Sequence, residues 1–147
     1  MKTYKFATEL QLAAPRAEVF AFFADPRNLE RITPPWLHFE IITPPDIVIE
    51  QGTVLDYRLR LRGIPLRWQS EIFVWEPPLR FVDRQTKGPY SLWVHEHTFA
   101  EHDRGTIVGD CVEYAVPGGW LVQKFFVAPD LERIFAFRHH ILEQLFD

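Results

Sequence analysis

Apolar and polar residues alternate at Tyr4, Phe6, Thr8, Leu10 and Leu12, a period of two that predicts a first strand over residues 3–12. Pro15 then suits the first turn of a helix whose apolar residues Val19, Phe20, Phe22 and Phe23 recur at helical spacing. Asp25-Pro26 reads as the cap and first position of a second short helix, which the ITPPW stretch ends. HFEII, residues 38–42, predicts a second strand, and irregular chain follows up to Gly52.

The alternation is cleanest over residues 54–75, with Gly63-Ile64 as the residues of a two-residue hairpin turn. Counting outward places Leu55, Tyr57 and Leu59 on one face with Trp68, Ser70 and Ile72, and leaves Asp56, Arg58, Arg60, Arg67, Gln69 and Glu71 to solvent. A turn at Pro77-Pro78 carries the count onward and directs Phe81, Asp83 and Gln85 to the apolar face, Val82 and Arg84 away from it.

The TKGPY connection decides the next strand. Two loop residues put Leu92 and Val94 inside, and three put Trp93, His95, His97 and Phe99 inside. Three is preferred, because the alternative buries Glu96 and Glu113 and leaves Trp93, Phe99 and Tyr114 in water. An even loop at the DRG turn then sets Val108, Asp110, Val112 and Tyr114 on the same face, and Asp103-Arg104 as turn residues set His97 opposite Asp110. Beyond VPGG, the residues Leu131, Ile134, Phe135, Arg138, Leu142 and Leu145 form one helical stripe. Pro129 either starts this helix or kinks a longer one beginning near Trp120.

Strand, two short helices, six strands and a long helix make an α+β domain, residues 1–147 as one unit, with a curved antiparallel sheet covered by the last helix. Aromatic residues are 15 % of the chain, more than a small core needs, and a wide aromatic-lined interior would use them. The net charge is −4 with basic residues scattered, which argues against nucleic acid as a partner. One cysteine, Cys111, expected outward, allows no internal disulfide, and no apolar run reaches a membrane span; a cytoplasmic protein without integral membrane association is the expectation.

AAPRAEVFAFFADPRNLERITPPW, GTVLDYRLRLRGIPLRW, FVDRQTKGPYSLWVHEHTF, VEYAVPGG and LERIFAFR resemble the START/SRPBCC superfamily across essentially the whole chain, within its bacterial ligand-binding subgroup. The resemblance implies a helix-grip fold: a seven-stranded antiparallel sheet around a long C-terminal helix, two short helices between strands 1 and 2, and a deep apolar pocket. It implies binding or transport of a small hydrophobic molecule, and the superfamily also contains cyclases.

The residues themselves give Tyr57, Trp68, Trp93 and Tyr114 as pocket walls, each joining an apolar body to a polar tip. Asp83, Gln85, His95, His97, Asp110 and Arg138 form a polar end that orients a ligand carrying a polar or anionic group. Mutual hydrogen bonding in a core accounts for one or two of these, and a salt bridge from Arg138 to Asp83 or Asp110 for another, but six on facing surfaces exceed that. Phe20, Phe23, Phe81, Phe99 and Phe135 are read as core, and the Arg58, Arg60, Arg62 and Arg67 cluster as a solvated sheet face. No cofactor motif is present, and His95 and His97 are not assigned a metal, since cupin spacing fails. The alternative function is a cofactor-independent cyclase, dehydratase or hydrolase using His95 or His97 with Asp110. A cavity below about 300 Å³ would count against the binder and favour a packed interaction module instead.

Overall fold

The computed structural model describes residues 1–146. Strand β1 (Tyr4–Leu12) leads into two short helices, α1 (Arg16–Phe23) and α2 (Asn28–Arg31), and a 3-10 turn at Pro35–Leu37. Strands β2 (Glu40–Ile41), β3 (Val54–Leu61), β4 (Ile64–Glu76), β5 (Arg80–Lys87), β6 (Leu92–His102) and β7 (Gly105–Ala115) follow. The chain closes with α3 (Gly119–Val122), a π turn (Gln123–Val127) and α4 (Ala128–Phe146), a continuous helix of 28 residues. The strands form one open antiparallel sheet in the order β1-β7-β6-β5-β4-β3-β2. Among the described residues no helix is long and apolar enough to cross a membrane.

Two of the expected turns differ in detail. The β3–β4 hairpin turns at Arg62-Gly63, because Leu61 pairs with Ile64. Both turn residues have positive φ, 50° and 81°, the conformation a two-residue hairpin with right-twisted strands requires, and glycine supplies the second without strain. The register is therefore displaced from the one expected, with Tyr57 opposite Trp68, while the assignment of faces is unchanged.

The β4–β5 connection holds three residues, since Glu76 pairs with Arg80. An odd turn alone would reverse every following side chain. The reversal is undone by a bulge at Phe73, where the register steps from Ile72 opposite Asp83 to Val74 opposite Val82. Phe81, Asp83 and Gln85 thus face inward as expected. Val82 lies on the outer face but is buried, flanked in register by Val74 and Glu96, the latter held by Arg80. The β5–β6 register, Asp83 opposite His95, requires an odd connection and turns Trp93, His95 and His97 inward. Asp103-Arg104 close the β6–β7 hairpin, and His97 stands opposite Asp110. Cys111 pairs with Ala7 and Glu96 on the outer face.

Smaller differences lie at element ends. β1 starts at Tyr4, β2 keeps only Glu40 and Ile41 of the HFEII stretch because His38 adopts a left-handed conformation (φ 46°), and the second helix begins at Asn28, with Asp25 accepting from the backbone of Arg27 instead of capping it. Pro129 is the second residue past the π turn of a longer helix that begins at Gly119. The inward stripe of α4 is Leu131, Phe135, Arg138 and Leu142. Leu145 leaves it, 38 % exposed, because the last turn packs on α1 through Phe146 and Phe22, ring centroids 5.4 Å apart.

Three apolar clusters result. One joins α1 and the ends of β6 and β7 around Val19, Phe20, Phe99 and Leu142; one joins β1, β7 and α4 around Val112, Tyr114 and Phe135; one surrounds Leu55, Tyr57 and Leu59 of β3. The first and third meet only through half-buried Leu29 and Ile49, and Leu29 borders both lobes of the interior cavity.

Candidate ligand cavity

A lobe of about 180 Å³ lies between β3–β6 and α4, lined by Tyr57, Trp68, Tyr90, Trp93, His95, His97, Phe135 and Arg138 among others. A smaller lobe of about 60 Å³ lies towards α1 and α2, against Phe23, Leu55, Phe81, Asp83 and His97. Tyr57, Asp83, His97 and Arg138 border both lobes. Together the lobes fall below the approximately 300 Å³ of a ligand pocket, so on that criterion volume favours the packed module over a binder of drug-sized ligands; the larger lobe is near the ~150 Å³ of an engineered cavity that takes benzene, and only a compact molecule fits it.

The polar residues at the junction form two acid–histidine pairs. His95 Nε2 lies 2.7 Å from Asp110 Oδ1, and His97 Nε2 lies 2.7 Å from Asp83 Oδ2. The imidazoles stack on one another with centroids 3.7 Å apart, and His97 stacks on Phe81 at 4.1 Å. Arg138 Nη2 reaches both His97 Nδ1 and Asp110 Oδ1 at 3.4 Å. A guanidinium only donates, so His97 Nδ1 accepts and its proton sits on Nε2, given to Asp83.

Burial, reinforced by His95, holds the His97 imidazole down to about 4 against the pull of Asp83 and Asp110, so it is neutral at pH 7. Burial raises the Asp110 carboxyl, but Arg138 and then His95 outweigh it, and the group stays well below the ordinary carboxylate range. Asp83 is likewise lowered, burial being overcome by the His97 hydrogen bond. Burial, then the charge of Asp83, pushes the Tyr57 phenol up, so it remains a neutral donor.

Arg138 is 6 % exposed and rests over Phe23 and Phe135 at 5.2 and 5.5 Å. Nη2 is its only nitrogen in a hydrogen bond among the described residues, and its Nε is buried without a partner. The cation is thus neutralised by charge but left with unused donors at the junction of the lobes.

Eight of the ten residues expected at the site converge here, although Asp110 stands behind His95 and does not border either lobe. The other two lie elsewhere. Tyr114 is buried in the β1–β7–α4 cluster, its Oη accepting from Gln123 Nε2 at 3.1 Å. Gln85 is spent on the loop before β6: its Nε2 donates to Tyr90 O (2.8 Å) and its Oε1 accepts from Tyr90 N (3.0 Å). That clamp brings in Tyr90, which packs against Trp68 and Trp93 at 5.4 and 4.8 Å. Tyr90 sits in a loop where strand counting stops, so no periodic signal marked it. Ser70, a wall residue accepting the Trp68 indole N–H at 3.0 Å, was on the correct face but carried no distinguishing chemistry. Phe23, Phe81 and Phe135, read as core, also line the lobes.

Asp83, His95 and His97 offer three donor atoms within 4.8 Å of one another, the composition of a two-histidine, one-carboxylate metal site. Here each Nε2 already faces a carboxylate, and an ion would also stand beside the Arg138 cation.

A family model described as polyketide cyclase / dehydrase and lipid transport matches residues 12–137. Among curated proteins no sequence match was found. Solved structures share the fold at low identity. Protein Ms6760 from Mycobacterium smegmatis is 18 % identical, with a TM-score of 0.72 over 99 % of this chain and 96 % of its own. The ZhuI aromatase/cyclase from Streptomyces sp. R1128 is also 18 % identical, with a TM-score of 0.72 over 97 % and 93 %. A major latex-like protein from Panax ginseng reaches 0.74 at 12 % identity over 99 % and 98 %.

Proposed function

The chain belongs to the polyketide cyclase / dehydrase and lipid transport family of SRPBCC type, and on that premise we propose that it binds a compact apolar molecule bearing an acceptor oxygen, held between sheet and α4. The observation that carries this reading is Arg138, a buried cation bordering both lobes with donors left over. An under-satisfied buried charge is costly, and a ligand oxygen relieves it.

Charge counting refines the ligand. Asp83 and Asp110 are ionised against one guanidinium and His97 is neutral. With two carboxylates already beside the Arg138 guanidinium, a neutral carbonyl or hydroxyl oxygen can take its spare donors without needing a further countercharge. The lobe volume matches a one- or two-ring molecule, with Tyr57, Trp68, Tyr90 and Trp93 as stacking walls. The single cysteine and the absence of an apolar span keep the cytoplasm as the proposed location.

A second reading rests on His95. Its Nε2 faces Asp110 Oδ1 at 2.7 Å and the ring borders the larger lobe, the arrangement by which a carboxylate orients an imidazole for general-base work on a carbonyl ligand. His97 is less suited, because both of its nitrogens are engaged.

Native mass spectrometry with solvent extraction of copurifying material tests the binding reading. A small carbonyl- or hydroxyl-bearing aromatic recovered from wild type and absent from Arg138→Met supports it, and a ligand bound equally by both overturns the role of Arg138. Turnover of that ligand lost in His95→Gln with binding retained establishes the catalytic reading.

A further inference from the structure

The helix segment before α4 exposes Trp120 (52 %), Leu121 (58 %), Phe125 (58 %) and Phe126 (47 %) within seven positions. Trp120 and Phe125 flank Lys124, whose Nζ lies 4.9 Å and 5.7 Å from their rings. The π turn explains the outward display. Stepping back from Leu131 at α-helical spacing brings position 124 onto the inward face, but the residue gained in the π turn gives that place to Gln123, which bonds Tyr114, and sends Lys124 out with its aromatic neighbours.

This patch adjoins the cavity mouth. Leu37, Leu61 and Ile134 border both the larger lobe and an outer groove that also contains Trp36, Arg62, Asp130 and Arg133. Arg62, at the β3–β4 turn, reaches across to the Phe126 ring at 4.7 Å. Behind it Arg58, Arg60 and Arg67 are exposed on the outer face of the hairpin. Of the acids nearby, Asp130 is shared between Arg62 (3.0 Å) and Arg133 (2.6 Å), Asp56 accepts from Gln69, and exposed Glu40 stands opposite Arg58. In a chain of net charge −4, two cations, Arg62 and Lys124, thus stand among the exposed aromatics.

We propose that this face docks on an anionic lipid bilayer surface, with the rings of Trp120, Phe125 and Phe126 entering the headgroup region and Lys124 and Arg62 meeting lipid phosphates. Exposed Trp and Phe interleaved with Lys and Arg is the composition that lies in a bilayer interface, and apolar burial and anionic attraction act together there. The proposal rests on the cavity being a ligand site, since docking places its mouth where an apolar molecule partitions.

Co-sedimentation of the purified protein with vesicles tests docking independently of any ligand. Wild type is expected to sediment with phosphatidylcholine vesicles containing roughly one-third phosphatidylglycerol and to be released several-fold by ~0.5 M salt. The Trp120→Ser/Phe125→Ser variant, with unchanged circular dichroism, is expected to partition about tenfold less. Arg62→Glu/Lys124→Glu is expected to lose the preference for anionic vesicles, and Arg138→Met to sediment like wild type even if its cavity no longer binds. Sedimentation of neither wild type nor Arg138→Met overturns the proposal. So does a concentration-dependent dimer in gel filtration that Trp120→Ser/Phe125→Ser abolishes, which would assign the patch to a second copy of the chain.

Discussion

His97 stands directly opposite Asp110 in the β6–β7 ladder, yet its Nε2 binds Asp83, which stands opposite His95, while Asp110 binds His95. Each imidazole reaches its diagonal neighbour. A ring long enough to span the diagonal of a twisted sheet makes this possible, and it brings the two rings face to face. The four side chains are thereby one unit, with Arg138 closing it from α4.

Protonation of that unit should be visible in stability. Unfolded His97 takes up a proton near 6.5 and folded His97 only at about 4, so between these values the unfolded state binds more protons and stability falls as pH falls. Below that window Asp83 and Asp110, whose carboxyls are lowered by folding, lose their contribution as pH drops under the unfolded value of 3.8. Denaturant unfolding at pH 5 should give a stability about 2 kcal/mol lower than at pH 7.5. His97→Gln, which can still donate to Asp83, should lose most of that slope.

Arg138→Met should remove the ligand and destabilise the fold by about 3 kcal/mol, because Asp110 keeps its charge with His95 as its main partner. Arg138→Lys should restore part of the stability and little of the binding, since an ammonium does not reproduce the planar donor set. Isothermal titration with the extracted ligand, beside chemical denaturation, separates the two effects.

Gln85→Ala should free the loop before β6. Two hydrogen bonds to the Tyr90 backbone are lost, a cost of about 1–2 kcal/mol. Amide exchange should accelerate at Tyr90, and fluorescence of Trp68 and Trp93 should shift because Tyr90 leaves their side.

Gly105→Ala places a Cβ 2.2 Å from the Leu12 carbonyl oxygen, with backbone on both sides of the contact. Strands β1 and β7 must part locally, and a loss of about 3 kcal/mol is expected from thermal or denaturant unfolding.

Metal analysis of protein purified without added ions should return no stoichiometric transition metal, because an ion among these atoms would stand beside the Arg138 guanidinium and compete with the two acid–histidine hydrogen bonds. A stoichiometric ion lost in His95→Ala would reverse that assignment.

The inward face of the sheet was legible because parity survives errors of register: a hairpin displaced at Arg62-Gly63 still puts Tyr57, Trp68 and Ser70 inside. His95, His97 and Asp110 came from the same counting. What counting cannot see is length and direction of side chains. Gln85 faces inward but turns along the strand to its own loop, Tyr114 faces inward but is covered by α4, and the diagonal pairing of the histidines depends on twist. The aromatic patch escaped because its exposure depends on a single π turn, which leaves no mark in hydrophobic periodicity.

The bulge at Phe73 and the three-residue turn after Glu76 are a compensating pair of insertions. Removing one residue from the turn alone would turn Asp83, and with it both histidines and Asp110, towards water; removing Phe73 as well would keep them in place. Among descendants of this chain, lengths at these two positions should therefore change together, and a relative lacking only one of them would carry its acid–histidine pairs on the opposite side of the sheet.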